Sequence, residues 1–85
     1  MNLLIDINML NLCFEDAGIF ADINNNISEN DIDIRDFINS SLQFISIIVS
    51  IEEKFNIEFP DEYLIIDTFS SVKNLISIIE SLQES

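Results

Sequence analysis

Few side chains in this 85-residue chain can do chemistry, and the missing types are as informative as those present. There is no histidine and a single cysteine, Cys13, which excludes serine-histidine and cysteine-histidine nucleophiles, an internal disulfide and a cysteine-histidine zinc site. What remains is hydroxyl and carboxylate chemistry. Ser40-Ser41 stands just before Leu42 and the apolar run Phe44 to Ile51, where one serine can cap a helix and the next lies in its first turn. A hydroxyl at Ser41, near the positive helix end, suits an attached phosphate; read alone, Ser41 is first a second capping-type serine.

The 16 acidic residues offer a second possibility. From Asp22 to Asp33, oxygen-bearing side chains fall at positions 1, 3, 5 and 12 of a calcium-type loop. The turn glycine at position 6 is Ile27 and the bidentate glutamate at position 12 is Asp33, so the pattern lacks two of its defining features. The other carboxylates have no recognisable catalytic spacing and read as a solvated surface. No enzyme activity is expected of the chain, and no metal site.

Net charge is -13, with Arg35, Lys54 and Lys73 the only cations. Nucleic acid is thereby a poor partner, since its binding rests on basic residues neutralising phosphates. The natural complement is a protein with a basic patch. Disorder is not expected despite this charge, because 48% of the residues are apolar. The chain reads as one domain over residues 1–85, with room for one modest core. The N-terminus has no basic region ahead of its apolar stretch, and no apolar run approaches the roughly 20 residues of a membrane span. A monomeric cytoplasmic protein without membrane contact is expected. The sequons Asn26-Ile27-Ser28 and Asn39-Ser40-Ser41 carry no weight without secretion.

Helices must position these groups. Leu3, Ile7, Leu10 and Phe14 follow helical spacing and predict a first helix from about Asn2 to Asp16, with Asn11 off its apolar face and Gly18 as its left-handed cap. Residues 19–39 are rich in Asn and Asp and predict a long loop, tied down by Ile23, Ile27, Ile32, Ile34 and Phe37, with a short helical turn near Asp31 to Phe37. A second helix is predicted from Ser41 to about Phe55, with Ser40 as N-cap and Gln43 reaching back to the Ser40 N–H in a capping box. Pro60-Asp61-Glu62 predicts a short, irregular third helix through about Ile65. A last helix starts near Ser70 or Ser71, with Val72, Leu75, Ile76, Ile79 and Leu82 on one face.

The second helix is apolar on too many sides for one core-facing stripe. Phe44, Ile47, Ile48, Ile51 and Phe55 form one face; Leu42, Ile45 and Val49 form another beside Glu52 and Glu53. Either the helix is central and buries both stripes, or the second stripe is an exposed partner surface. The residues alone leave both readings open.

Taken in order, Ser41-Leu42, the apolar helix ending in Glu52-Glu53-Lys54-Phe55, and Ile57-Glu58-Phe59-Pro60-Asp61-Glu62 resemble the acyl carrier protein family. Gly18 after helix one and Ser70-Ser71-Val72 before the last helix also fit. The resemblance implies an all-α fold, a small four-helix bundle with a long loop between helices 1 and 2 and a short helix 3. It implies that Ser41 carries 4'-phosphopantetheine, added from coenzyme A by a phosphopantetheinyl transferase, and that an acyl or aminoacyl group rides on it as a thioester. The family's partner surface maps to Leu42, Ile45, Val49, Glu52 and Glu53, expected to meet loading and acyl-transferring enzymes through basic docking patches. The family's aspartate before the modified serine is Ser40 here, and Gln43 and Ser46 stand where many relatives carry acids. These departures point to a dedicated carrier of specialised biosynthesis. A degenerate, unmodified interaction module is the alternative.

Overall fold

Three stretches of the chain have both a capping signal and a continuous apolar stripe, and each is an α-helix in the computed structural model, which describes residues 6–23 and 31–84. Helix α1 spans Ile7–Asp16, α2 Ser41–Phe55 and α3 Val72–Glu84. Single 3-10 turns cover Ile34–Phe37, Asp61–Tyr63 and Ile66–Ser70. The fold is all-α: three α-helices, and no strand among the described residues.

Helix α1 begins later than its periodicity suggests. Asp6 is extended and accepts a hydrogen bond from the Asn8 N–H at 2.9 Å, so it is the N-cap of a helix that starts at Ile7; Asn2 and Leu3 lie outside the described residues. The far end is closed as expected by Gly18 (φ +85°). The Gly18 N–H reaches the Glu15 carbonyl and the Ile19 N–H the Phe14 carbonyl, the paired bonds of a Schellman cap. Asn56 (φ 54°) does the same for α2, where the Ile57 N–H returns to the Glu52 carbonyl. Asparagine is the second choice for this left-handed position after glycine.

Leu10, Cys13 and Phe14 of α1, Ile47, Ile51 and Phe55 of α2, and Val72, Leu75 and Ile79 of α3 converge on one core. Phe14 meets Phe69 edge-on with centroids 6.5 Å apart. Asn11 belongs to this buried face as well, contrary to its sequence assignment. Its side-chain oxygen accepts from the Ile23 N–H at 3.1 Å and its amide donates to Glu15, so both ends are satisfied and the following loop is pinned to α1. Of the expected loop ties, Ile23 and Ile34 are buried, Ile32 is half-buried and Phe37 is exposed. Ile27 lies outside the described residues, as does most of the calcium-type segment.

The expected third helix is the main departure. Asp61–Tyr63 makes one 3-10 turn, Ile65 is extended, and Ile66–Ser70 turns again. The reason is local. Leu64, Ile65 and Ile66 are all exposed, so these residues supply no single face for a helix to bury, while the Thr68 hydroxyl donates to the Tyr63 carbonyl at 2.8 Å and fixes the irregular path.

Carboxylates lock the segment before α2 onto the start of α3. Asp31 accepts from the Ser71 hydroxyl and from the Lys73 N–H, and the Val72 N–H donates to the Ile32 carbonyl. Arg35 pairs with Asp33 and Asp67 at 2.8 and 2.9 Å. For Asp31, desolvation acts to raise the carboxyl pKa, but the bonds from Ser71, Lys73 and Ile32 outweigh it and hold the group below its ordinary range. The Arg35 guanidinium does the same for Asp33. A carboxyl depressed in the folded state stabilises above its unfolded pKa and loses that contribution as pH falls through the folded value. Thermal melts from about pH 6 to about pH 2.5 should therefore show stability falling below about pH 4. Asp31→Asn should be less stable at neutral pH and lose less on acidification; parallel curves would show that Asp31 plays no part.

Candidate functional site

The first turn of α2 is built around three polar residues, Ser40, Ser41 and Gln43, with different tasks. Ser40 is extended (φ -156°, ψ 159°) and its hydroxyl accepts from the Gln43 N–H at 3.2 Å, the expected N-cap. Gln43 does not return to the Ser40 N–H; its side-chain oxygen accepts from the Asn39 N–H at 2.7 Å, one residue earlier. That registers the box on Asn39, because Gln43 is also held from the other side: its amide donates to the Ala17 carbonyl at the end of α1, at 3.0 Å.

Ser41 is left over. It is the first helical residue, exposed, and among the described residues its hydroxyl has no hydrogen-bond partner. No acid occupies the first turn of α2, so the positive helix end around Ser41 is not neutralised from within the helix. The residue also stands on the rim of two clefts. One, of about 350 Å³, is walled by Phe44, Ile45, Ile48 and Leu64; the other, of about 390 Å³, by Ile38, Asn39, Ser40, Phe44 and Ile66. Phe44 is the shared wall, its ring set edge-on against Phe69 at 5.3 Å.

The two stripes of α2 part company as one of the sequence readings required. Ile47, Ile48, Ile51 and Phe55 are buried and Phe44 is half-buried. Leu42, Ile45 and Val49 are 75%, 53% and 45% exposed, so the helix is not central and its second stripe faces outward. The three form an exposed apolar stripe on the outer side of α2. Of the two carboxylates beside them, Glu53 is exposed, whereas Glu52 is half-buried and accepts from the Phe59 N–H at 2.9 Å. Glu52 thus anchors the chain leaving α2, and Glu53 is the more open charge.

Leu64, Ile65 and Ile66 were not legible as part of this site. Leu64 shares the first cleft with Ile45 and Ile66 the second with Ser40, and with Ile65 they extend the exposed apolar surface beyond α2. The available signal was three large apolar residues in a row, which one helical face cannot hold together. Asp61, Glu62 and Asp67 flank them, all exposed.

Cys13 is buried, and desolvation pushes its thiol up to about 11, so it is protonated and unreactive near neutral pH. Among the described residues no group of three or more acids or cysteines could hold a metal ion, and no helix is long and apolar enough to cross a membrane. No protein-family model, curated protein or solved structure matches the chain.

Proposed function

We propose that this chain is a carrier protein of the acyl-carrier type, with Ser41 the attachment residue for 4'-phosphopantetheine. The observation that carries the reading is the state of the Ser41 hydroxyl: exposed, uncommitted, and at an uncompensated helix N-terminus, beside a neighbour whose own hydroxyl is engaged. That setting fits the group. A phosphodiester on Ser41 would lie where the helix end favours negative charge, and the clefts on either side give apolar walls for whatever hangs from it. When attached, the group supplies a thiol that carries an acyl or aminoacyl cargo as a thioester.

The chain's own part is to present and to dock. Ser41 gives its oxygen to the phosphoryl group of coenzyme A, the nucleotide half leaves, and a transferase takes the proton. Leu42, Ile45, Val49 and Leu64 offer an apolar footprint rimmed by Glu53, Asp61 and Glu62, suited to cytoplasmic loading and acyl-transferring enzymes with basic rims. Tethering raises the cargo's effective concentration at each enzyme. In this reading the turns between Asp61 and Ser70 take the place of the family's short third helix. The dedicated, specialised-pathway role rests on the missing acids at positions 40, 43 and 46. Incubation with coenzyme A and a broad-specificity phosphopantetheinyl transferase should add one phosphopantetheine to the intact mass. A chain that stays unmodified overturns the proposal.

The exposed stripe also favours a second reading, an unmodified interaction module. Both readings expect Ile45→Glu to weaken binding to a basic partner, by roughly tenfold, as loss of an apolar anchor does. Only the module retains its biological role when Ser41 is replaced by alanine. Binding titrations of the two variants against the same partner separate docking from loading.

A further inference from the structure

Gln43 joins the end of α1 to the start of α2 by side-chain hydrogen bonds at the turn bearing Ser41. Its amide nitrogen donates to the Ala17 carbonyl at 3.0 Å, its oxygen accepts from the Asn39 N–H at 2.7 Å, and its backbone N–H donates to Ser40 Oγ at 3.2 Å. The Ala17 carbonyl is one of the last in α1, which the helix cannot itself satisfy. Its direction is set by the left-handed Gly18, whose Cα side faces the Gln43 amide; a Cβ built there would lie 3.6 Å from that nitrogen. Residues 39, 40 and 43 are thereby fixed to α1, and Ser41 is enclosed within the fixed stretch.

We infer that Gln43 is a positioning residue that holds the Ser41 hydroxyl for phosphopantetheine transfer, by clamping the first turn of α2 to the last turn of α1. The inference rests on the carrier reading of Ser41. Its chemical requirement is specific: one side chain must donate to a carbonyl and accept from an N–H at the same time, and among side chains of this length only an uncharged amide does both near neutral pH. A carboxylate at this position would still accept from Asn39 but would face the Ala17 carbonyl with no proton to give. The residue that makes the start of α2 less acidic is therefore also the residue that makes it rigid. A fixed nucleophile acts on the rate of the transfer step more than on docking, because misplacement is felt at the reacting atoms.

The test compares Gln43→Met, which keeps length and loses both side-chain bonds, with Gln43→Glu, which keeps only the bond to Asn39. Loading by a broad-specificity transferase is measured over a range of carrier concentration at a temperature where every variant is fully folded. The expected result is a kcat lowered about tenfold in Gln43→Met with KM within about twofold of wild type, and Gln43→Glu intermediate in kcat. Equal kcat in all three chains, or a loss confined to KM or to melting temperature, overturns the inference. If the wild-type chain is not loaded at all, the carrier reading has failed and amide exchange decides the clamp. Faster exchange at Asn39 and Gln43 than in the rest of α2 in Gln43→Met then supports it, and no local change overturns it.

Discussion

In the Ser41→Ala chain, coenzyme A and a transferase are expected to leave the intact mass unchanged, while Ser40→Ala still gains one phosphopantetheine. The two hydroxyls are neighbours in sequence but have different duties. Ser40 Oγ accepts from the Gln43 N–H, and its removal costs the helix a cap, about 1 kcal/mol, without removing a nucleophile. Ser41 is exposed with no hydrogen-bond partner among the described residues, so its loss leaves the fold intact and the modification without an oxygen to join. The effect is all or none, and circular dichroism of Ser41→Ala should match wild type. Addition that persists in Ser41→Ala would place the attachment on another residue.

The largest folding effect is expected from Ile51→Ala. Ile51 is fully buried on the core stripe of α2, whereas Val49, two residues earlier, is 45% exposed. Truncating a buried isoleucine removes apolar contact and leaves a cavity, at a cost of roughly 2 to 5 kcal/mol. For a domain of this size each kcal/mol shifts the melting temperature by about 4 to 8 °C. Ile51→Ala should therefore melt far below wild type, or fail to fold at ambient temperature, and Val49→Ala should stay within about 1 kcal/mol, as surface changes do. Chemical denaturation midpoints for both variants check this; equal losses would mean that both stripes are buried in solution.

How much of this was legible follows from where each signal is local. The α2 boundaries, the Ser40 cap and the buried face through Ile47, Ile51 and Phe55 were read from spacing alone, because helical periodicity and capping act within a few residues. The Gly18 cap and the turn near Ile34 were readable for the same reason. The outward direction of Leu42, Ile45 and Val49 was not, since exposure depends on what the rest of the chain packs against. Asn11 was misplaced because its burial requires a partner twelve residues away, the Ile23 N–H. The short, irregular third helix is reduced to a 3-10 turn at Asp61–Tyr63 by competition: Pro60-Asp61-Glu62 is a sound helix start, but Leu64, Ile65 and Ile66 have no common face to bury and Thr68 captures the Tyr63 carbonyl. Glu52 looked like a docking charge in sequence, and only the return of the chain at Phe59 turns it inward.

Cys13 bears on the handling of cargo. The chain's one thiol is buried in the core and kept protonated. If the proposed carrier role holds, an acyl group on a pantetheine thiol would meet no second reactive thiol within the same chain. Burial would then prevent transacylation onto the chain itself, a dead end for any shuttle, and leave the ester for the enzymes that receive it.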